Sequence, residues 1–163
     1  MKIYMKNKFL SIGEGSEVLD EQKKPIYVVK GVPLSFTREK NIYDMEGKLL
    51  YVIKNRLFNI FYYKTKIFND KNEKLADISI AKGFVREKYK ISGLEDEMEV
   101  VGSFASRKSK ITRNGQEIAQ LQEESSIIND CYSITADEKE IPFLTAVAVA
   151  FDNLTDLRER KRK

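Results

Sequence analysis

Two stretches of the chain gather basic side chains: Lys82, Arg86, Lys88 and Lys90, and then Arg107, Lys108, Lys110 and Arg113. Arginine forks and lysine point charges suit phosphate oxygens. On an extended strand alternate residues share a face, so Lys108 and Lys110 project together, as do Arg86, Lys88 and Lys90. Either patch would take a phosphorylated headgroup or another polyanion. The plainer alternative is a solvated outer strand face, where lysine discourages edge pairing. Tyr62, Tyr63, Tyr89 and Tyr132 lie near basic residues, the pairing of ring and charge that single-stranded nucleic acid stacks on. No RNA-binding signature accompanies them, and the stretch from Leu57 to Tyr63 reads as core, so nucleic acid is disfavoured.

The remaining reactive residue types exclude more than they offer. There is no histidine and one cysteine, Cys131. Histidine-based acid–base catalysis, Ser-His-Asp and Cys-His nucleophile pairs and histidine metal sites are absent, and no intramolecular disulfide can form. Cys131 reads as an inert packing residue. Glu95, Asp96, Glu97 and Glu99 lack the spacing of an EF-hand loop and read as a solvated turn. Gly13-Glu14-Gly15-Ser16 lacks the Gly-Lys-Ser/Thr ending of a phosphate loop. Asp152 is the one acid expected to be buried, held by capping or turn hydrogen bonds at a helix end. No catalytic residue, metal or cofactor is expected.

At 163 residues the chain fits one domain, assigned to residues 1–157, with 158–163 a charged tail of five cations and one acid. The net charge of +4 permits an anionic partner without demanding one. No continuous apolar run follows the N-terminal lysines, as a signal peptide requires. The longest strongly apolar segment, Ile141–Phe151, is short of the roughly 20 residues of a membrane span. A cytoplasmic protein, at most peripheral to a membrane, is expected.

These side chains need a scaffold, and the pattern is of strands. Short runs of Ile, Val, Tyr and Phe, such as Ile26–Val29, Leu49–Ile53 and Leu75–Ile80, alternate with turns rich in Asp, Asn and Lys. Asp20–Lys24, Asp44–Lys48 and Asn69–Lys74 lead into strands, and further turns fall at Gly93–Glu97, Arg113–Gln116 and Ala136–Glu140. Asn-Gly is a strong hairpin signal, and Asp or Asn bonds its own backbone at the others. The turns recur about every 24 residues, so six units give about twelve antiparallel strands. A sandwich of seven to nine strands fits the periodicity equally well.

From Glu140 the pattern changes. Pro142 fits a first helical turn, and a helix is predicted over about 142–154, although Ala-Val-Ala-Val-Ala alone would pass for a strand. Phe143, Leu144, Val147, Phe151 and Leu154 share one face and Val149 lies nearly opposite. Each contributes about 1.5–3 kcal/mol when fully buried. A helix apolar nearly all round must be surrounded by protein. A closed barrel with this helix through its centre meets that demand and removes strand edges. The open alternative lays the helix on one sheet face, with Thr145 and Asp152 outward.

The chain length, the repeated unit of Ile42-Tyr43-Asp44-Met45-Glu46-Gly47-Lys48-Leu49-Leu50-Tyr51-Val52-Ile53, and the apolar final helix from Phe143 to Asp152-Asn153-Leu154 together resemble the LURP-one-related family of the tubby C-terminal-like superfamily, here a bacterial member. The resemblance implies a mainly β protein, a twelve-stranded antiparallel barrel enclosing a C-terminal hydrophobic helix. Tubby proteins, similar in fold, bind phosphoinositide headgroups through basic surface residues. The related scramblases are membrane-attached, but their palmitoylated cysteine cluster and spanning helix are missing here. No tubby ligand residue aligns well enough to carry over. The function expected is therefore that of a non-enzymatic barrel domain binding an anionic ligand such as a phospholipid headgroup, or a protein partner. The alternatives are an enzyme with a carboxylate, lysine or tyrosine site in a barrel-end pocket, or a scaffold without a ligand.

Overall fold

The computed structural model describes residues 1–6, 16–55, 64–81, 88–102, 108–124 and 131–160, with backbone alone at 80, 81, 123 and 155–160. Twelve strands and one helix follow in order: β1 Lys2–Lys6, β2 Ser16–Leu19, β3 Pro25–Gly31, β4 Lys40–Asp44, β5 Leu49–Asn55, β6 Lys64–Asn69, β7 Lys74–Ala81, β8 Lys88–Ser92, β9 Met98–Val101, β10 Lys108–Arg113, β11 Gln116–Glu124, β12 Cys131–Ala136 and α1 Ile141–Arg160. Each strand pairs antiparallel with its sequence neighbours, and β1 closes the ring on β12, with Ile3 opposite Ile134. The structure is thus the twelve-stranded barrel rather than the sandwich.

Three of the connections repeat one turn. In the Asp20 turn the side-chain Oδ1 accepts from the backbone N–H groups of Gln22 and Lys24. Asp44 does the same for Glu46 and Lys48, and Asn69 for Lys71 and Glu73. The fourth residue of each turn is left-handed: Lys23 at φ 63°, Gly47 at φ 84° and Asn72 at φ 61°. A one-residue register shift follows beside each, between Val18 and Leu19, Ile42 and Tyr43, and Ile67 and Phe68. This is the geometry of a type I turn closed by a bulge, and it explains why Asp or Asn recurs at that position.

Because the strands alternate in direction, the six short turns all lie at one end of the barrel, the turn mouth. The strand ends at the other end, the loop mouth, are joined through 7–15, 32–39, 56–63, 82–87, 103–107 and 125–130. Of these only 32–39 is described in full.

The helix enters at the turn mouth after a short 3-10 turn, Glu138–Glu140, and fills the barrel. From Leu144 to Leu154 no residue is more than 6% exposed, and Val147, Val149 and Phe151 pack with wall residues such as Ile42, Ile53, Ile67 and Ile78. Tyr89 from β8 meets Phe151 edge-on at 4.4 Å, and Tyr51 meets Phe143 at 6.4 Å. Pro142 and Phe143 are half-buried at the entrance.

Three expectations need correcting. The helix runs to Arg160, beyond the expected 154. Asp152 is consequently inside the helix, not at its end. Thr145 and Asp152 do not face outward from an open sheet: both are buried, and Thr145 Oγ1 donates to the Ile141 carbonyl at 2.8 Å. A hydroxyl that bonds back one turn is satisfied within its own helix and enters the core at little cost.

Candidate functional site

Register brings the two basic stretches together. Lys88 of β8 and Lys110 of β10 both stand opposite Val101 of β9, so they flank one residue on the same outer row. Lys90 stands one row away, opposite Glu99. The inward positions between them are Tyr89, Ile91, Ser109 and Ile111, all buried, and this alternation forces the lysines out. Lys88, Lys90, Lys108 and Lys110 are all exposed. Lys82, Arg86 and Arg107 lie outside the described residues, as do Tyr62, Tyr63 and the stretch from Leu57 to Tyr63.

The same motif occurs a third time, which the sequence reading missed. Lys64-Thr65-Lys66-Ile67 on β6 matches Lys88-Tyr89-Lys90-Ile91 and Lys108-Ser109-Lys110-Ile111. Thr65 is fully buried, so Lys64 and Lys66 also point outward. Three Lys-x-Lys pairs therefore open three alternate strands, and all start from the loop mouth. The signal was present at a spacing of 24 and then 20 residues, in step with the turns.

Carboxylates thread this belt without cancelling it. Glu117 meets Lys110 at 2.6 Å, and Glu99 meets Lys88 at 3.5 Å. Asp77 receives Lys64 and Lys74, each at 3.0 Å, beneath their stems. Burial pushes the Asp77 carboxyl up, but the hydrogen bonds from Lys74 and Lys64 outweigh it and hold the group below its ordinary value. The exposed pairs, Lys110–Glu117 and Lys88–Glu99, contribute little to stability and exchange readily for other anions, whereas Asp77 is buried and stays with its lysines.

Arg113 belongs elsewhere. It sits at the turn mouth, where its guanidinium grips Glu140 in a two-bond fork at 2.9 and 2.8 Å, with Asp96 at 3.6 Å. Those bonds hold the Glu140 carboxyl below its ordinary value. Asn114 beside it ties two turns together, donating to Asp96 at 2.8 Å and accepting from the Glu97 backbone at 3.0 Å. Clefts of about 360 and 630 Å³ lie on either side of the Arg113–Glu140 pair. Leu75, Leu94 and Phe143 line the smaller one.

At the loop mouth the inner wall turns polar. Lys40 of β4 reaches Asp152 of the helix at 3.0 Å, both side chains 8% exposed. Asn153 donates to the Arg38 carbonyl at 3.1 Å, and Thr65 donates to Asn55 at 2.8 Å. Lys40 and Asp152 are 112 residues apart, so no local signal could have paired them. Above this layer the loop 32–39 holds Leu34 at 95% and Phe36 at 93% exposure.

The other candidates have plain settings. Tyr89 is core, and Tyr132 is half-buried. Cys131 is half-buried, its Sγ 4.0 Å from the Glu124 carbonyl. Of the glycine-rich fragment only Ser16 is described, where it opens β2. Among the described residues no three acidic or cysteine side chains are grouped to hold a metal, and no helix is long and apolar enough to cross a membrane.

A meander of six hairpins that closes around its own C-terminal helix, bearing its charge on the outer wall, defines a helix-filled antiparallel barrel. The chain belongs to the LURP-one-related family, whose model matches residues 1–152. Among solved structures it is similar to the X-ray structure of a protein from Arabidopsis thaliana, with a TM-score of 0.67 at 13% identity over 94% of this chain and 91% of that one. That likeness shows the shared fold. No curated protein matches the chain.

Proposed function

We propose that this protein is a non-enzymatic barrel domain that docks on an anionic phospholipid surface through its lysine belt. The observation that carries this reading is the threefold Lys-x-Lys repeat on β6, β8 and β10, with every lysine pointing outward. An array of ammonium groups facing out from three alternate strands, with Glu99 and Glu117 as partly exposed counter-carboxylates, suits a sheet of phosphates. The interior supports the same reading, since the helix occupies the space in which a barrel protein would hold a small molecule. A cytoplasmic protein that visits the membrane periphery fits this role.

The test is co-sedimentation with vesicles of phosphatidylcholine alone or with added phosphatidylserine. Pelleting with the anionic vesicles, weakened by salt and by Lys108→Glu/Lys110→Glu, is the expected result. Equal pelleting with both vesicle types, unchanged by the charge reversal, would overturn the reading. A barrel-end enzyme is the alternative, favoured by the polar clefts around Arg113 and Glu140.

A further inference from the structure

The loop between β3 and β4 is built to hold two apolar side chains in water. Val32 N–H donates to the Glu39 carbonyl, Ser35 Oγ accepts from the Glu39 N–H at 3.0 Å, and Asn55 N–H donates to the Thr37 carbonyl at 2.8 Å. Asn153, from the core helix, fastens the Arg38 carbonyl. Leu34 stands in the left-handed region at φ 58°, a conformation unfavourable for a residue with a Cβ. Yet this fastened segment leaves Leu34 and Phe36 almost fully exposed. Single exposed apolar residues are ordinary, but two neighbours on a fixed loop form a surface to be covered.

The charge around the loop says by what. Lys54 contacts Glu39 at 3.4 Å and stands opposite Lys66, where the lysine belt begins. The belt starts from this same mouth, and Arg158 and Arg160 fall in the last turn of the helix that runs toward it. The turn mouth has the opposite character. Its turns, residues 20–24, 44–48, 69–74, 93–97, 113–116 and 137–140, carry twelve acids against seven bases, and their only large apolar residues are Met45 and Leu94. A barrel with a basic, apolar-tipped end and an acidic end carries a dipole along its axis, and an anionic surface orients such a body end-on.

We infer that the barrel docks end-on, loop mouth down, on an anionic bilayer, with Leu34 and Phe36 inserted between headgroups and the lysine belt at phosphate level. This rests on the membrane reading above and adds to it an orientation and an insertion element. Charge brings the protein to the surface and apolar insertion holds it there, the two-signal arrangement that peripheral anchoring requires.

The test compares the full chain with Leu34→Ser/Phe36→Ser on vesicles of phosphatidylcholine with phosphatidylserine, over a series of salt concentrations. Both side chains are outside the core, so circular dichroism should be unchanged. Burying two large apolar side chains predicts at least about tenfold weaker binding for the variant, with an unchanged salt slope. Leu34→Trp/Phe36→Trp should bind at least as tightly as the native chain. If the native chain binds anionic vesicles and Leu34→Ser/Phe36→Ser binds equally well, the insertion inference fails while the docking function stands. If the native chain binds no vesicle, both fail. If the serine variant instead dissolves a dimer of the free protein in sedimentation velocity, the loop is a self-association site and the inference fails.

Discussion

The two mouths of the barrel solve the problem of ending a sheet in opposite ways. At the turn mouth, short connections satisfy themselves: Asp20, Asp44 and Asn69 each accept two backbone N–H groups of their own turn. The ion pair there, Arg113 with Glu140, is half-open to water. At the loop mouth, the order of 32–39 depends on partners far away in sequence, Asn55 and Asn153, and the ion pair Lys40–Asp152 is buried. One end is assembled locally and faces water with acids. The other is assembled through the helix and presents lysines and bare apolar side chains. The end whose fold depends on long-range contacts is also the one with surface left to be covered.

Replacing one member of each ion pair sharpens this contrast. Asp152→Ala removes the carboxylate facing the buried Lys40 ammonium and should cost about 3–5 kcal/mol, whereas Lys40→Met/Asp152→Leu should retain near-native stability. Arg113→Ala leaves Glu140 near water and should cost about 1–2 kcal/mol. Urea unfolding of the variants checks both, and equal losses would erase the distinction between the mouths. Gly47→Ala is expected to cost about 1 kcal/mol, because the left-handed turn position then carries a Cβ. The same turn already tolerates Lys23 at that position, where the ammonium lies 3.3 Å from the Tyr4 ring centroid.

The smallest effect is on pH dependence. The Glu140 carboxyl is held below its ordinary value of 4.5 in the folded protein. Its contribution is therefore complete above about pH 4.5 and is lost as pH falls through the depressed folded value. Glu140→Gln should be less stable than the native chain at pH 7, with the gap narrowing in unfolding titrations carried below pH 4.5. A gap that widens on acidification would contradict the sign.

Much of this architecture is legible in residue order, because turn chemistry and hydrophobic alternation are local. Asp44-Met45-Glu46-Gly47-Lys48 specifies its own geometry, and the nearly all-round apolar helix from Leu144 to Leu154 favours enclosure over an open sheet face. The extension of α1 to Arg160 was harder to read, since nothing between Asp152 and Arg160 is a helix breaker and only the charge run suggested an end. The Lys40–Asp152 pair was illegible, because a contact between strand and helix 112 residues apart leaves no local pattern. The basic face was half legible: two of its three Lys-x-Lys pairs stood out as charge clusters. Lys64 and Lys66 were missed because the adjoining Leu57–Tyr63 reads as core. Arg113 was grouped with the belt by sequence proximity, yet β10 carries it to the opposite mouth. Leu34 and Phe36 gave no warning, since a short apolar stretch looks the same whether buried or bare.

The chain contains no tryptophan, so one introduced at either end reports alone. Phe36→Trp at the loop mouth and Met45→Trp at the turn mouth should behave differently on anionic vesicles. The account predicts that the Phe36→Trp emission shifts to the blue and is quenched by brominated lipid, while Met45→Trp stays water-exposed on the same bound protein. Quenching of Met45→Trp instead, or a Phe36→Trp that remains in water while the protein is bound, would contradict it.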